Sequence, residues 1–265
     1  MKKKILVIIL VLTALFNVPN FVKSCAYGNV ENSYGIDEVI FNNLREMSKT
    51  NDDARYILNH ANKYPQGLLK LASSDEDTLE FVRNYTKNRF FRRKPRNIGV
   101  RCNGQIPKIV QWDEKWGYLD YGDGNIALNG CAPTALSMVA TGLRNDPSIT
   151  PYDIAKFAEK QGYYIDGVGT SWNLFTEGAL EFGIQGKYLQ KTRWSMEQSL
   201  KAGKPIICSV GPGNFTTKGH FIVISKMQNG MFVVNDPNSK KRSEILWSYD
   251  QLSPQIKAMW NFSLL

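Results

Sequence analysis

Histidine and cysteine are scarce in this chain of 265 residues, which contains two histidines and four cysteines. No two cysteines stand in the Cys-x-x-Cys spacing that is typical of structural zinc sites. The sequence has no tandem repeat at a fixed period, and no segment is long and apolar enough to span a bilayer. We therefore expect no repeat architecture, no metal, no cofactor and no transmembrane helix.

The first 26 residues have the pattern of a secretory signal. Lys2, Lys3 and Lys4 precede an apolar run, and the small-residue site Ser24-Cys25-Ala26 follows it. We expect cleavage after Ala26, which makes the protein secreted or associated with the cell envelope. The alternative is lipidation of Cys25, because "VKSC" loosely resembles a bacterial lipoprotein box.

Positive charge is concentrated in one short segment. The whole chain has a formal charge of +9, of which the signal contributes four lysines. Residues 87–101 contain seven basic residues and no acid, so the remainder of the mature chain is slightly acidic. This distribution predicts a basic linker at 87–105 and argues against nucleic-acid binding. The linker would be a solvated hinge, a contact to the anionic envelope, or a processing site.

The linker separates two unlike regions. Residues 27–86 are predicted to be helical, with Ile36, Ile40, Leu44 and Met47 on one helix face and with Leu79, Val82 and Tyr85 on another. In residues 106–265 helical patterns come first, at 131–143, from Thr150 to about 162, from Thr170 to about 180, and after a capping box of Ser195 with Gln198. Strand patterns follow in "KPIICSV", "GHFIVISK", "MFVVND" and "AMWNFSLL". This order predicts an α+β fold.

Cys131 stands at the predicted start of the most apolar helix, in "LNGCAPTALSMV". A buried cysteine is usually a core residue, but a helix N-terminus favours a thiolate. Cys208 lies inside an apolar strand and looks inert. A free thiol with a pKa near 8.5 is only about 3% ionised at pH 7, so a nucleophilic Cys131 needs a cationic partner.

His220 is the only histidine of this region, and Asp236 follows it by sixteen positions at the end of the next predicted strand. By elimination His220 is the base of a Cys131 nucleophile, and Asp236 is the candidate that orients it. The alternative for Asp236 is a plain turn in "NDPNS". The alternative role for Cys131 and His220 is a zinc site formed by the three cysteines of the mature chain and this histidine.

The hairpin that contains His220 and Asp236 must place both side chains on the same face of the sheet if they are to meet. A regular two-residue turn at Asn229-Gly230 places the two side chains on opposite faces of the sheet, because strand side chains alternate. The catalytic interpretation therefore predicts a three-residue loop of residues 228–230, or a bulge elsewhere in the hairpin with the same effect.

These blocks resemble a known family. "IPKIVQWDEKWGYLDYG", "LNGCAPTALSMV", "GKPIICSV", "GHFIVIS" and "VVNDPNS" are similar, in order and flanks, to bacterial peptidases related to the bacteriocin-leader (double-glycine) peptidases, the thirty-ninth family of cysteine peptidases. The resemblance covers about residues 106–260, and the helical stretch before it resembles the N-terminal extension of secreted members. It implies a papain-like fold with Cys131 as nucleophile, His220 as general base and Asp236 as the orienting carboxylate.

The sequence also departs from the family pattern. The usual Cys-Gly-Pro is Cys131-Ala132-Pro133 here. The oxyanion glutamine usually stands a few residues before the cysteine, whereas the candidate Gln111 lies twenty before it, so that "YLDYGDG" must loop out. Asn125 is the rival donor, and aromatic packing is the alternative role of "QWDEKW".

The sequence thus predicts an exported, monomeric cysteine peptidase that acts on a peptide or protein. Cleavage of cell-wall peptides, or a catalytically inactive envelope-binding role, are the alternatives. Residues 27–100 could be an inhibitory pro-segment.

Overall fold

The computed structural model describes residue 32, residues 34–90 and residues 93–265. The signal pattern and Cys25 lie outside the described residues. Asn32 to Leu265 form one unit by their backbone contacts, so the domain boundaries at 86 and 105 stay a prediction. No helix in the described part of the chain is both long and apolar enough to cross a lipid bilayer.

Four short helices make up the N-terminal region: α1 (Glu38–Met47), α2 (Asp52–Asn59), α3 (Gln66–Ser74) and α4 (Leu79–Asn88). The side chain of Asp37 caps α1 by accepting hydrogen bonds from the amides of Val39 and Ile40, so the helix begins at Glu38. Pro65 ends the preceding segment and leads into α3. The first predicted apolar face lies on α1 except for Ile36, which precedes the helix, and the second predicted face lies on α4.

The rest of the chain alternates short helices with strands. The helices are α5 (Ile126–Asn129), α6 (Cys131–Arg144), α7 (Pro151–Lys160), α8 (Arg193–Lys201), α9 (Lys240–Glu244) and α10 (Tyr249–Leu252). The strands are β1 (Asp120–Tyr121), β2 (Gly124–Asn125), β3 (Tyr164–Ile165), β4 (Gly169–Thr170), β5 (Ile184–Tyr188), β6 (Ile206–Val210), β7 (His220–Gln228), β8 (Met231–Asn235), β9 (Leu246–Trp247) and β10 (Ile256–Leu264).

The main sheet in the described residues has six strands in the order β5-β10-β6-β7-β8-β9. Each neighbouring pair is antiparallel. All four strands expected from the sequence belong to it, and the other pairs, β1-β2 and β3-β4, are short hairpins. The α+β class, with helices on an antiparallel sheet after a helical N-terminal region, is confirmed.

Helix α6 is the central helix, packed between the sheet and neighbouring helices. Residues 132 to 142 of it are all buried, and its apolar side chains share one core with Val223, Trp260 and Phe262 of the sheet. Burying a Leu, Met or Val side chain stabilises the fold by about 1.5–3 kcal/mol each. This packing fixes where the first turn of α6, which carries Cys131, lies relative to β7.

Two predicted helix signals were wrong in detail. The stretch opened by Ser171 forms two short 3-10 helices, Trp172–Phe175 and Gly178–Phe182, instead of one α-helix. Thr and Gly are poor helix formers, and Thr176 and Gly178 stand at the break. Ser195 does not cap α8, because Thr192 takes that position and its hydroxyl accepts a hydrogen bond from the amide of Ser195.

The described part of the basic segment 87–105 packs against the second region. Ile98 is buried in the α6 core, and its amide donates to the carbonyl of Pro147 at 2.9 Å. Lys94 forms an ion pair with Asp153 of α7. Residues 93–105 are thus held at two points, which a freely solvated hinge would not be.

Candidate active site

Cys131 is the first residue of α6, and α5 leads directly into it through Gly130. A side chain at Gly130 would lie 2.4 Å from the carbonyl oxygen of Ile126, so this tight junction requires glycine. Cys131 is half-buried and packs against the α6 core. Its thiol therefore combines a fixed position with access to a cleft, and the helix N-terminus favours negative charge there.

His220 is the first residue of β7, opposite Val210 of β6. The turn between β7 and β8 has two residues, Asn229 and Gly230, both with positive φ. The expected three-residue loop is therefore wrong. A bulge instead lies between Ile224 and Lys226, where Ser225 is the additional residue. The extra residue changes the register by one, so that side chains beyond the bulge exchange faces of the sheet. This is the bulge that the prediction gave as the alternative to a three-residue loop.

His220 and Asp236 consequently meet. The imidazole Nε2 lies 2.7 Å from Asp236 Oδ1, and both side chains are almost fully buried. Because Asp236 holds Nε2, the other ring nitrogen, Nδ1, is left for a second partner. Cys131 lies close enough to His220 for its sulfur to raise the pKa of the imidazole.

Asp236 is held by more than its histidine. Arg242 of α9 donates from Nε to Asp236 Oδ2 at 2.5 Å, and the amide of Asn238 donates to Oδ1 at 2.8 Å. The backbone amide of Asp236 donates to the hydroxyl of Ser243. Asp236 is thus both part of a turn and the partner of His220, so the two interpretations of "NDPNS" describe the same residue. Arg242 carried no sequence signal, since only the fold places α9 beside the carboxylate.

The charges of the pair support each other. Burial alone lowers the pKa of His220, but the Asp236 carboxylate outweighs it and raises that pKa well above its ordinary value. Burial raises the pKa of Asp236, yet His220 and Arg242 outweigh it and hold the pKa below its ordinary value. An imidazolium beside a carboxylate is the favoured state, and an imidazolium is what a thiolate needs as its neighbour.

Gln111, and not Asn125, faces the same site. The Gln111 side chain is 4% exposed, and its Nε2 donates to the carbonyl of Ala127 at 2.7 Å. The backbone amide of Gln111 donates to the carbonyl of Pro237, next to Asp236. Asn125 instead caps α5 by accepting a hydrogen bond from the amide of Leu128. The segment "YLDYGDG" forms the β1-β2 hairpin, which brings residue 111 back towards Cys131 despite their separation in sequence.

One cleft of about 460 Å³ collects these groups, a volume typical of ligand sites. Gln111, Cys131, His220 and Arg242 line it together with Ala127, Leu128 and residues 213–219. Residues of α3 in the N-terminal region line it as well. The two tryptophans of "QWDEKW" are buried in the apolar cores, so that motif serves packing while its glutamine lines the cleft.

The other two described thiols lie away from this cleft. Cys102, Cys131 and Cys208 are all free, and Cys208 is fully buried in β6. Burial raises the pKa of both Cys208 and Cys102. Within residues 32, 34–90 and 93–265, no three His, Cys, Asp or Glu side chains come together as a set of metal ligands.

The family model described as "Peptidase_C39 like family" matches residues 104–262 of the sequence. The chain belongs to this family. The resemblance inferred from the Cys131, His220 and Asp236 blocks is thereby confirmed, and the match includes every one of the four candidate site residues. None of the curated proteins matches the chain.

Solved structures of related peptidases are similar to parts of the chain. The peptidase domain of Streptococcus ComA, a bi-functional ABC transporter involved in quorum sensing, matches at 16% identity and a TM-score of 0.38, covering 52% of this chain and 93% of its own. A putative C39-like peptidase from Bacillus anthracis matches at 15% identity and a TM-score of 0.35, covering 61% and 96%. A double glycine motif protease from an AMS/PCAT transporter, in complex with its leader peptide, matches at 17% identity and a TM-score of 0.33, covering 63% and 96%.

Proposed function

We propose that this chain is an active cysteine peptidase in which Cys131, His220, Asp236 and Gln111 hydrolyse a peptide bond. The observation that carries the proposal is the buried 2.7 Å contact between His220 and Asp236, in a cleft that Cys131 also lines. Family membership supports the same reaction class. The raised pKa of His220 supports an imidazolium as the partner of a Cys131 thiolate.

In the first half-reaction the Cys131 thiolate attacks the carbonyl carbon of the scissile bond. The imidazolium of His220 gives its proton to the leaving nitrogen, the C–N bond breaks, and a thioester remains on Cys131. Asp236 keeps the imidazole in the orientation that presents Nδ1 to the sulfur and stabilises its positive charge.

In the second half-reaction neutral His220 removes a proton from water as the water oxygen attacks the thioester carbonyl. The C–S bond breaks, the carboxylic acid product leaves, and the thiolate and imidazolium are restored. Both steps pass through an oxyanion. The Gln111 amide carries two N–H groups, and one of them is used on Ala127. The other is the donor that we assign to the oxyanion.

The protein is further proposed to work outside the cytoplasm, as a monomer, on peptides or proteins that include cell-wall peptides. The support for export is the basic, apolar and small-residue pattern of residues 1–26. Mass spectrometry of the protein recovered from culture medium and from the cell envelope tests this point. An N-terminus at Tyr27 is expected, whereas a lipid on Cys25 would place the protein on the membrane surface instead.

The catalytic proposal is tested by incubating the purified chain with a synthetic peptide mixture and with purified cell walls. New cleavage products are expected, together with an acyl adduct on Cys131 in the intact mass at short times. The variant His220→Asn, which removes the base and nearly keeps the shape, should abolish both signals. Absence of products and of the adduct from the wild-type chain on both substrates would contradict a peptidase and favour a binding protein.

A further inference from the structure

The cleft has a wall that belongs to neither the nucleophile helix nor the sheet. Helix α3 contributes Gly67, Lys70, Leu71 and Ser74 to its lining, and Asp75 follows at the end of that helix. These residues lie in the N-terminal region, outside the segment that matches the family. The four proposed catalytic residues and this wall therefore come from different parts of the chain.

The wall is fixed to the catalytic loop by specific contacts. Asp75 Oδ2 accepts a hydrogen bond from the hydroxyl of Ser239 at 2.9 Å, three residues after Asp236. Gly67 approaches Leu128 so closely that a side chain on the glycine would lie 2.8 Å from the leucine methyl. Helix α3 is thus seated against α5, which leads into Cys131.

The two regions also share a buried core. Trp112 and Tyr118 pack among the apolar side chains of the N-terminal helices. The ring of Tyr118 stacks on Phe81 at 4.3 Å between centroids, and its hydroxyl donates to the Phe81 carbonyl at 2.7 Å. Removing the N-terminal region would expose this core and leave the Tyr118 hydroxyl without that acceptor. Such a construction suits a permanent part of the site better than a pro-segment that is discarded.

Within the described part of the chain, some charged side chains that line the cleft have partners, and others have none. Arg242 is paired with Asp236, and Asp75 accepts hydrogen bonds from Ser239 and from the amide of Asp77. Lys70 on α3 and Lys218 on the loop before His220 are exposed, and neither takes part in an ion pair among the described residues. Two lysines from distant segments of the chain thus offer unpaired positive charge in the lining of one cleft.

We propose that helix α3 is a specificity wall of this cleft, and that Lys70 and Lys218 select peptides with an acidic side chain near the scissile bond. This inference rests on the proposed function, because it names the substrate class of the same site. A glutamate or aspartate bound in the cleft would gain an ion pair with one or the other ammonium group, whereas a neutral amide of the same shape would gain none.

The test uses synthetic peptides that differ only by Glu or Gln at one position, scanned across the bond that the wild-type chain cleaves. The readout is the ratio of kcat/KM for the Glu peptide to that for the Gln peptide, at low and high salt. We expect a ratio of about ten at the preferred position, which falls as salt screens the charges. Lys70→Gln and Lys218→Gln should each lower the ratio by about three- to fivefold, the range of a partly exposed ion pair.

Two exposed lysines outside the cleft lining provide matched controls. Lys63→Gln changes the same region as Lys70, and Lys201→Gln changes the end of α8. Both controls should keep the wild-type ratio. A Glu-to-Gln ratio of one at every position, a ratio below one at the preferred position, or the same loss of the ratio in the controls would overturn the inference.

Binding to the Cys131→Ala variant separates the two proposals. If the wild-type chain cleaves neutral peptides without any acidic preference, the specificity wall is wrong and the peptidase stands. If nothing is cleaved but the Cys131→Ala variant binds Glu peptides better than Gln peptides in a Lys70-dependent way, the binding site stands and the peptidase fails. If peptides are neither cleaved nor bound, both proposals are overturned.

Discussion

Cys131 and Cys208 are two thiols of the same region with opposite surroundings. Cys131 begins α6, is half-buried and lines the cleft that also contains His220. Cys208 lies in the middle of β6 with no exposed surface, and burial raises its pKa far above the ordinary value. The two residues have the same side chain, so any difference in their chemistry comes from the fold around them.

The comparison shows what the fold must add to a cysteine to make it reactive. A helix start contributes roughly 0.3–1 kcal/mol of stabilisation to a nearby negative charge. The larger contribution is an imidazolium, which at this site depends on Asp236 and on the bulge that brings Asp236 to the correct face of the sheet. Cys208 has neither contribution, because it lies inside a strand and its neighbours in the core are apolar side chains.

The largest expected difference is in activity. Cys131→Ala should lower peptide hydrolysis by about 10³-fold or more, because no other thiol can form the acyl-enzyme. Cys208→Ala should retain most of the activity at temperatures where it remains folded. Hydrolysis rates of the two variants, measured side by side with thermal unfolding, check this pair. Loss of activity in Cys208→Ala with retention in Cys131→Ala would reverse the assignment.

The second largest expected effect is the loss of hydrolysis when Asp236, which orients His220, is replaced. Asp236→Asn keeps the shape of the side chain but removes the charge, so His220 loses its orienting carboxylate. Hydrolysis should fall by about 10²- to 10⁴-fold, and alkylation of Cys131 near neutral pH should slow.

The control for this substitution is Asp123→Asn, which removes an exposed carboxylate hydrogen-bonded to Tyr164 and Asn129. It should leave the rate near that of the wild type. Equal rates for the Asp236→Asn variant and the wild type would show that Asp236 serves only its turn.

The pH dependence of the rate follows from the direction of the pKa shift at His220. The active form needs imidazolium, and the pKa of His220 is raised mainly because Asp236 outweighs the cost of burial. The rate should therefore decline with rising pH only well above the ordinary histidine pKa of about 6.5. In Asp236→Asn this alkaline decline should move to lower pH. A decline at the ordinary histidine value in both proteins would contradict the charged pair.

The pKa shifts of His220 and Asp236 also predict how the stability of the fold depends on pH. The folded-state pKa of His220 is raised, so its contribution is fully present below the unfolded value and is lost as pH rises through the folded value. The folded-state pKa of Asp236 is lowered, so its contribution is present above the unfolded value and is lost as pH falls through the folded value. The pair stabilises fully between about pH 4 and pH 6.5. Melting temperatures of the wild type and His220→Asn across pH test this window. Its alkaline limit should be absent from the variant, whereas part of its acid limit should persist because Arg242 still pairs with Asp236.

The smallest expected effect is on stability. Cys208→Ala removes a fully buried sulfur from the sheet and should cost about 1–2 kcal/mol of unfolding free energy. Cys131→Ala removes a half-buried group at a helix start and should change that free energy by less than about 0.5 kcal/mol. Chemical denaturation of both variants measures the difference. A larger loss in Cys131→Ala would indicate a core role for that residue.

Much of this site was predictable because its chemistry is local in the sequence. Cys131 stands beside a glycine and opens an apolar helix, and His220 and Asp236 flank two apolar strands. The family blocks add the same order of residues. The loop of "YLDYGDG" was also expected, since Gln111 could reach the cleft only if that segment formed an excursion, which it does as the β1-β2 hairpin.

Other features could not be predicted because they depend on contacts between distant segments. Nothing near Ser225 marks it as a bulge, although the catalytic histidine and aspartate could share one face of the sheet only if the hairpin was irregular somewhere. Arg242 meets Asp236 only because α9 folds back over the turn after β8. Helix α3 reaches the cleft through packing on Leu128 and a hydrogen bond to Ser239, neither of which its own sequence indicates.

Alkylation of the native chain with one equivalent of iodoacetamide at about pH 6 tests the central claim most directly, because only a thiolate stabilised by its surroundings reacts readily there. The modified residue is identified by peptide mapping, and hydrolysis is measured on the same samples. The account predicts modification of Cys131 in proportion to the loss of hydrolysis, with Cys102 and Cys208 modified only after denaturation. Modification of Cys102 or Cys208 first, or hydrolysis that survives complete modification of Cys131, would contradict it.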